Sequence, residues 1–268
     1  MIIIGEKING TIPAVGKAIA ERDAEFIRSL TIIQSEAGSD YIDVCAGVTP
    51  DMELETIKWL LDIIQSATDV PVSLDSSNPV TIKEAFKYVS KPGIINSISL
   101  EGDKADIIFP LISDTEWACV ALLCDDDGIP ATVEKRLEIA RVIIDRAAEK
   151  GISPNRLHID PLVITLSTDI MSMSKFMSCT KEIKSWHPEI HITSGLSNIS
   201  FGLPLRRSVN QSFLTLAMSV GMDSAIMDPT NREMLAALLA TDALLGNDRF
   251  CRNYTTAYRK GRIGQKAE

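Results

Sequence analysis

The chain has 268 residues, a net charge of −9 and a hydrophobic content of 45%. That length buries a proper core in one large α/β domain or two small ones, and the acidic balance argues against a broad nucleic-acid surface. No apolar run approaches the roughly 18 residues of a membrane span, and MIIIGEK is too short for a signal peptide. The five cysteines show neither CxxC nor a Cys/His zinc spacing, which fits a reduced, cytoplasmic setting.

In chain order, residues 2–4 (III) begin a strand, a helix is expected over 14–38, and YIDVC at 41–45 gives a second strand. Pro50 or Asp51 opens a helix over 52–67, whose Leu54, Ile57, Leu60, Leu61 and Ile64 form an apolar stripe. PVSLD at 71–75 is the third strand, and Asn78-Pro79 caps a helix over 79–89. Strands at 93–98, 117–123 and 157–163 alternate with helices at 103–114 and 131–150, the second ending at Gly151. The pattern closes with a helix at 171–186, a strand at 190–197, a helix at 208–219, a strand at 224–228 and a helix at 231–246. The strands are continuously hydrophobic rather than alternating, as in parallel sheets covered on both faces. Strict alternation of eight strands with eight helices matches a (β/α)₈ TIM barrel. A doubly wound sheet is the alternative, although no GxGxxG follows the first strand. Without a linker or low-complexity stretch, residues 1–268 read as one domain, with the basic last ten residues or so as a disordered tail.

In such a barrel, chemistry sits where strands end. The residues there are Glu6, Asp43, Asp75, Asn96, Cys124, Asp160, Asn198 and Asp228: seven carboxylates or carboxamides out of eight. Any single one could be a helix cap; seven around one ring converge on a cavity. No histidine sits at a strand end, no Ser-His-Asp set is present, and Lys7 beside Glu6 is ill placed for a Schiff base. Four carboxylates could bind a divalent metal. A ring of Asp and Asn equally suits a pterin- or purine-like heterocycle rich in N–H donors and ring nitrogens, because carboxylates accept paired N–H bonds and Asn both donates and accepts.

The motifs IGEKIN at 4–9, LDSSNP at 74–79, INS at 95–97, IDPL at 159–162 and GLSN at 195–198 resemble the pterin-binding methyltransferases. The resemblance is closest to the methyltetrahydrofolate:corrinoid methyltransferases of anaerobic bacteria, and runs from residue 2 to about 260. It implies a dihydropteroate-synthase-like barrel whose pterin is held by Asp75, Asn96 and Asp160, with Gly195 and Ser197 lining the pocket. It further implies that Asn198 points at N5 and is the catalytic residue, and that Glu6 and Asp43 make polar or water-linked contacts near the mouth. Arg206 falls where the family turns an arginine toward the p-aminobenzoate-glutamate tail.

The reaction so implied is methyl transfer between N5 of tetrahydrofolate (5-methyltetrahydrofolate in its methylated form) and the cobalt of a corrinoid, in either direction. No Asp-x-His-x-x-Gly cobalamin loop occurs, so the cobalamin is expected on a separate corrinoid protein; no metal site and no nucleic-acid or membrane partner are expected. The family is commonly dimeric, and a homodimer is the corresponding expectation. Dihydropteroate synthases usually carry Ser-Arg-Lys near the seventh strand and Arg-x-His near the C-terminus; here SNIS stands at the first and no Arg-x-His follows residue 220. Dihydropteroate synthase, a metal-dependent lyase or aldolase, and a pterin-binding module without catalysis are the remaining alternatives. The loop 201–205 (FGLPL) is more apolar than the relatives lead one to expect, and the acidic run 125–127 reads as a solvated loop or a docking surface.

Overall fold

The computed structural model describes residues 1–264. Its strands are β1 (Ile2–Asn9), β2 (Tyr41–Cys45), β3 (Val72–Asp75), β4 (Ile94–Leu100), β5 (Ala118–Asp125), β6 (Leu157–Asp160), β7 (His191–Ile192) and β8 (Ser224–Met227). The helices between and after them are α1 (Pro13–Ala20), α2 (Ala24–Ala37), α3 (Pro50–Ala67), α4 (Pro79–Phe86), α5 (Lys104–Ile112), α6 (Val133–Glu149), α7 (Ser172–Trp186), α8 (Arg206–Ser219), α9 (Arg232–Leu244) and α10 (Arg252–Arg259). All the strands lie in one sheet, ordered β7-β6-β5-β4-β3-β2-β1-β8, and every pair is parallel. Between β7 and β8 the ring is joined by the Asp223 N–H to the Ile192 carbonyl at 3.2 Å and the Ile226 N–H to the Ser194 carbonyl at 3.0 Å. The chain is thus the (β/α)₈ barrel expected from its alternation.

Each strand has one face toward the barrel axis and one toward the helices. The helix-facing residues, such as Ile42, Val44, Leu74, Ile95 and Ile159, join the helices' apolar stripes in one large cluster. A small separate cluster of Ile4, Ile94, Ala118 and Val120, with Tyr41, Leu122 and Ile226 against it, plugs the barrel. Two positions further along their strands the residues turn polar, Glu6 after Ile4, Asp43 after Tyr41 and Asn96 after Ile94, and Asp160 ends β6. That switch from aliphatic plug to polar mouth positions the site.

Three expectations change. The helix expected over 14–38 is two helices, because Arg22 takes a left-handed backbone (φ 53°) and the Asp23 carboxylate then caps α2 at the Phe26 N–H, 3.0 Å away. The strand expected over 190–197 is regular only at His191–Ile192; beyond that the backbone bends toward a 3₁₀ turn at Asn198–Ser200, and Gly195 keeps a lone bridge to Ile226. The basic C-terminal stretch is not a loose tail through residue 264. Residues 252–259 form α10, Ala257 and Ile263 pack on Leu235, and the Arg232 guanidinium donates to the carbonyls of Gly261 and Gly264. Residues 265–268 of that expected tail lie outside the described residues.

Candidate functional site

The polar mouth is built on neighbouring strands whose register brings its side chains together. Asp43 pairs across the sheet with Ser73, Cys45 with Asp75, and Asp75 with Asn96. Asp43 Oδ1 accepts from Ser73 Oγ at 2.5 Å and from Asn96 Nδ2 at 3.2 Å. The Asn96 amide therefore spends a donor on Asp43, while its oxygen has no partner among the described residues. Asp75 lies beside the Cys45 thiol on the neighbouring strand. Across the mouth, Asp160 Oδ1 accepts from the Leu162 N–H at 2.8 Å, and the carboxylate also faces the Gly195 N–H.

Burial governs the ionisation of this ring. Asp160 is pushed up to about 7 by loss of water, against the opposing pull of the Leu162 and Gly195 amides and the Arg136 charge. Glu6 is raised to about 7, first by burial and then by the neighbouring Asp228 carboxylate. Asp43 lies well above the usual carboxylate range because it is buried and faces Asp75; Asp75 is raised by its own burial. Burial thus favours the protonated form of these carboxyls over the charged one. A flat ligand that donates several N–H bonds and carries no net negative charge on that edge relieves the crowding. His158 is buried below them, held near 3 by burial and bonded through Nδ1 to Ser224 Oγ at 2.9 Å, a core residue rather than a ligand. His191 is half-buried, stacks on His158 and pairs with Asp223.

Asn198 is placed differently from the rest. It heads the 3₁₀ turn, is exposed, and its side chain makes no hydrogen bond among the described residues. Its Nδ2 lies 3.3 Å from where a Cβ on Gly195 would sit, so the glycine leaves room for the amide to move. The turn itself is anchored by Arg206, whose Nη2 donates to the Ser197 carbonyl at 2.7 Å and whose Nε donates to Ser200 Oγ at 3.1 Å. Arg206 thus braces the Asn198 turn, with its guanidinium over Phe201, 5.8 Å from the ring centre. Loss of that brace is expected to lower the catalytic rate more than ligand affinity. Arg206→Ala should reduce turnover roughly tenfold at saturating substrate, as expected for losing one or two charge-assisted bonds that preorganise an active-site turn. Steady-state kinetics on the variant checks this.

The rim also differs from the residues chosen by strand position alone. Cys124 lies 3.7 Å from Glu101, which with Lys104 forms a surface cluster after β4. Asp228 is paired with Lys7 at 3.1 Å. The acidic run is tied down, Asp125 to Lys135 and Asp126 to the Gly102 N–H at 2.7 Å. Cys45, Ser73 and Arg136 were not singled out from sequence. Only the strand alternation that carries Asp43 and Asp75 pointed toward the first two. Among the described residues, no three His, Cys, Asp or Glu side chains converge as a metal site.

A family model described as pterin binding enzyme matches residues 16–228. The methylcorrinoid:tetrahydrofolate methyltransferase of Eubacterium limosum is 54% identical over 98% of this chain and 98% of its own length. The methionine synthase of Mycobacterium tuberculosis is 29% identical over 85% of this chain, which spans 20% of that longer protein. Among solved structures, the dihydropteroate synthase of Vibrio fischeri shares the fold with a TM-score of 0.66 at 14% identity, covering 92% of this chain and 94% of that one. The enzyme of Xanthomonas albilineans in complex with 7,8-dihydropteroate aligns at 0.63 and 18%, covering 91% and 92%.

Proposed function

Because this chain belongs to the pterin-binding enzymes, we propose that it is a methyltransferase, moving a methyl group between N5 of tetrahydrofolate and the cobalt of a corrinoid held by a partner protein. A relative matched over 98% of its length bears that activity in its name. The observation that carries the reading is the free Asn198 amide standing on a braced turn over a buried cup of Asp75, Asn96 and Asp160. A cup of acceptors with one bifunctional amide fits the donor-rich pyrimidine edge of a pterin.

In this reading Asp75, Asn96 and Asp160 hold the pterin edge, with Gly195 and Ser197 along its face and Glu6 and Asp43 ordering water at the mouth. Written toward methyltetrahydrofolate, the direction of the relative's name, the N5 lone pair attacks the methyl carbon and the carbon–cobalt bond breaks with both electrons left on cobalt. The N5 proton then departs. In reverse, cobalt(I) attacks the methyl group and N5 must take up a proton as it leaves. Either way charge changes at N5 in the transition state, and a neutral amide that bonds N5 mainly there assists without titrating. Arg206 keeps the turn in place.

The apolar loop at 201–205, with Leu205 83% exposed, follows the Asn198 turn and offers an apolar surface to a corrinoid carrier. We also read residues 1–268 as one domain and the protein as a homodimer in a reducing cytoplasm. The five unpaired cysteines support the compartment, and no helix among the described residues is long and apolar enough to cross a membrane. An apolar hollow of about 330 Å³ between α7 and α8, lined by Leu166, Met173, Val209, Phe213 and Leu216, supports pairing of copies there. Leu216→Asp should then convert the dimer to monomer in sedimentation velocity; an unchanged mass removes that face as the interface.

The deciding experiment mixes the protein with cob(I)alamin and methyltetrahydrofolate, or with methylcobalamin and tetrahydrofolate, and follows the cobalt spectrum. Methylcobalamin appearing or disappearing at a protein-dependent rate is expected. A static spectrum in both directions, with folate nonetheless bound, would instead leave a binding module without catalysis.

A further inference from the structure

Arg136 is the bulkiest fully buried side chain among the described residues, with 0% of its surface exposed. It sits in the first turns of α6, behind the Thr132 cap, and forms no salt bridge among the described residues. A guanidinium without a carboxylate against it is costly to bury. Its bonds show what it holds: Nε donates to the Pro130 carbonyl at 3.0 Å, and Nη1 donates to the carbonyls of Pro161 at 2.8 Å and Leu162 at 2.7 Å. The last two acceptors belong to the turn that follows β6.

That turn is strained. Leu162 has a left-handed backbone (φ 64°), which a leucine disfavours. In this conformation its N–H points back to Asp160 Oδ1, 2.8 Å away. Nη1 grips two successive carbonyls of the turn while Nε holds the Pro130 carbonyl, so one planar group ties the start of α6 to the turn, a span that a lysine's single ammonium does not cover. We propose that Arg136 is a positioning residue of the folate site. By clamping the Pro161–Leu162 turn, it fixes the Leu162 amide against Asp160 and so presents that carboxylate to the pterin edge. The proposal rests on the functional reading above and names a residue behind the site that orients it. The Arg136 charge also acts on Asp160 in the direction that favours its ionised form.

The test uses the full chain, with tetrahydrofolate as probe, binding by calorimetry and steady-state turnover. Arg136→Lys keeps the charge but cannot hold Pro130 and both turn carbonyls at once. It should weaken tetrahydrofolate binding about tenfold, the effect of a displaced bond to a charged group, with KM rising more than kcat falls. Adding Leu162→Gly removes the strain that the clamp offsets, so the double variant should regain most of the lost affinity. Leu162→Val disturbs the same turn from the other side, because a β-branched residue resists a left-handed backbone; it should weaken binding similarly, whether or not Arg136 variants fold. A purely structural Arg136 predicts a lower unfolding temperature with affinity unchanged within about twofold, and no recovery from the glycine; either result overturns the proposal, as does a Leu162→Val protein that binds normally. A wild type that binds no folate overturns the functional reading and this proposal together. A wild type that binds, with variants that match it, overturns this proposal alone.

Discussion

Asn198→Ala is expected to lower the rate of methyl transfer roughly 30- to 1,000-fold, corresponding to about 2–4 kcal/mol of barrier, while tetrahydrofolate affinity should stay within about threefold. The split follows from where the side chain stands. It has no protein partner to lose, being exposed and unbonded, so its removal leaves no buried group unpaired and little stability changes. In the proposed reading it also contributes little to holding the pterin, a role given there to Asp75, Asn96 and Asp160. What the amide offers is a dipole that meets N5 when charge changes there, and interactions confined to the transition state appear in kcat rather than in binding. Rapid-mixing measurement of methylcobalamin formation, beside calorimetric titration with tetrahydrofolate, separates the two. A variant with wild-type rate would remove Asn198 from the chemistry; one with a proportionate loss of affinity would make it a holding residue.

Asp160→Asn is expected to weaken tetrahydrofolate at least about 100-fold, because the carboxylate is an acceptor for paired N–H donors and an asparagine turns one acceptor into an opposing donor. The pH dependence carries a sign. Burial places the Asp160 carboxyl near 7, so its ionised form is a minor species at pH 6 and dominant at pH 8. Only that form accepts two N–H bonds. Wild-type affinity should therefore rise about tenfold from pH 6 to pH 8 through this group, and the asparagine variant should lose that rise.

The stability of the ligand-free protein runs the other way. A carboxyl raised from 3.8 to about 7 on folding contributes stability that is fully present below about pH 4 and is lost as pH rises through 7. Glu6, raised to about 7, adds to the same trend. At pH 8 the Asp160→Asn protein should thus be more stable than wild type, by an amount on the order of a few kcal/mol. Thermal unfolding at pH 6 and pH 8, without ligand, checks the sign. A variant less stable at pH 8 would mean that the Leu162 and Gly195 amides outweigh the cost of burying the charge.

The barrel was legible in the sequence because parallel strands covered on both faces read as short, continuous apolar runs, and eight of them alternate with helical stripes. Asp75 and Asp160 could be picked out for the same reason, since each ends its strand where the apolar run stops, whereas Asn96 lies within β4 and Asn198 stands on the turn beyond β7. Arg22 and the turn after Ile192 were not legible, since one left-handed residue or one bend is decided by packing and not by periodicity. Nor did the basic composition of the C-terminal stretch disclose that Ala257 and Ile263 cover Leu235.

The sequence by itself determined the strand and helix order, the polar ring and its lack of a titrating histidine. Those properties depend on neighbours within a few residues or on strand alternation. The tertiary structure alone decided that Asp43 binds Ser73 and Asn96, that burial lifts Glu6 and Asp160 to about 7, and that Arg136 reaches the turn beside Asp160. These depend on loss of water and on contacts between residues 25 to 53 positions apart, and no local pattern encodes which carboxylate is left dry.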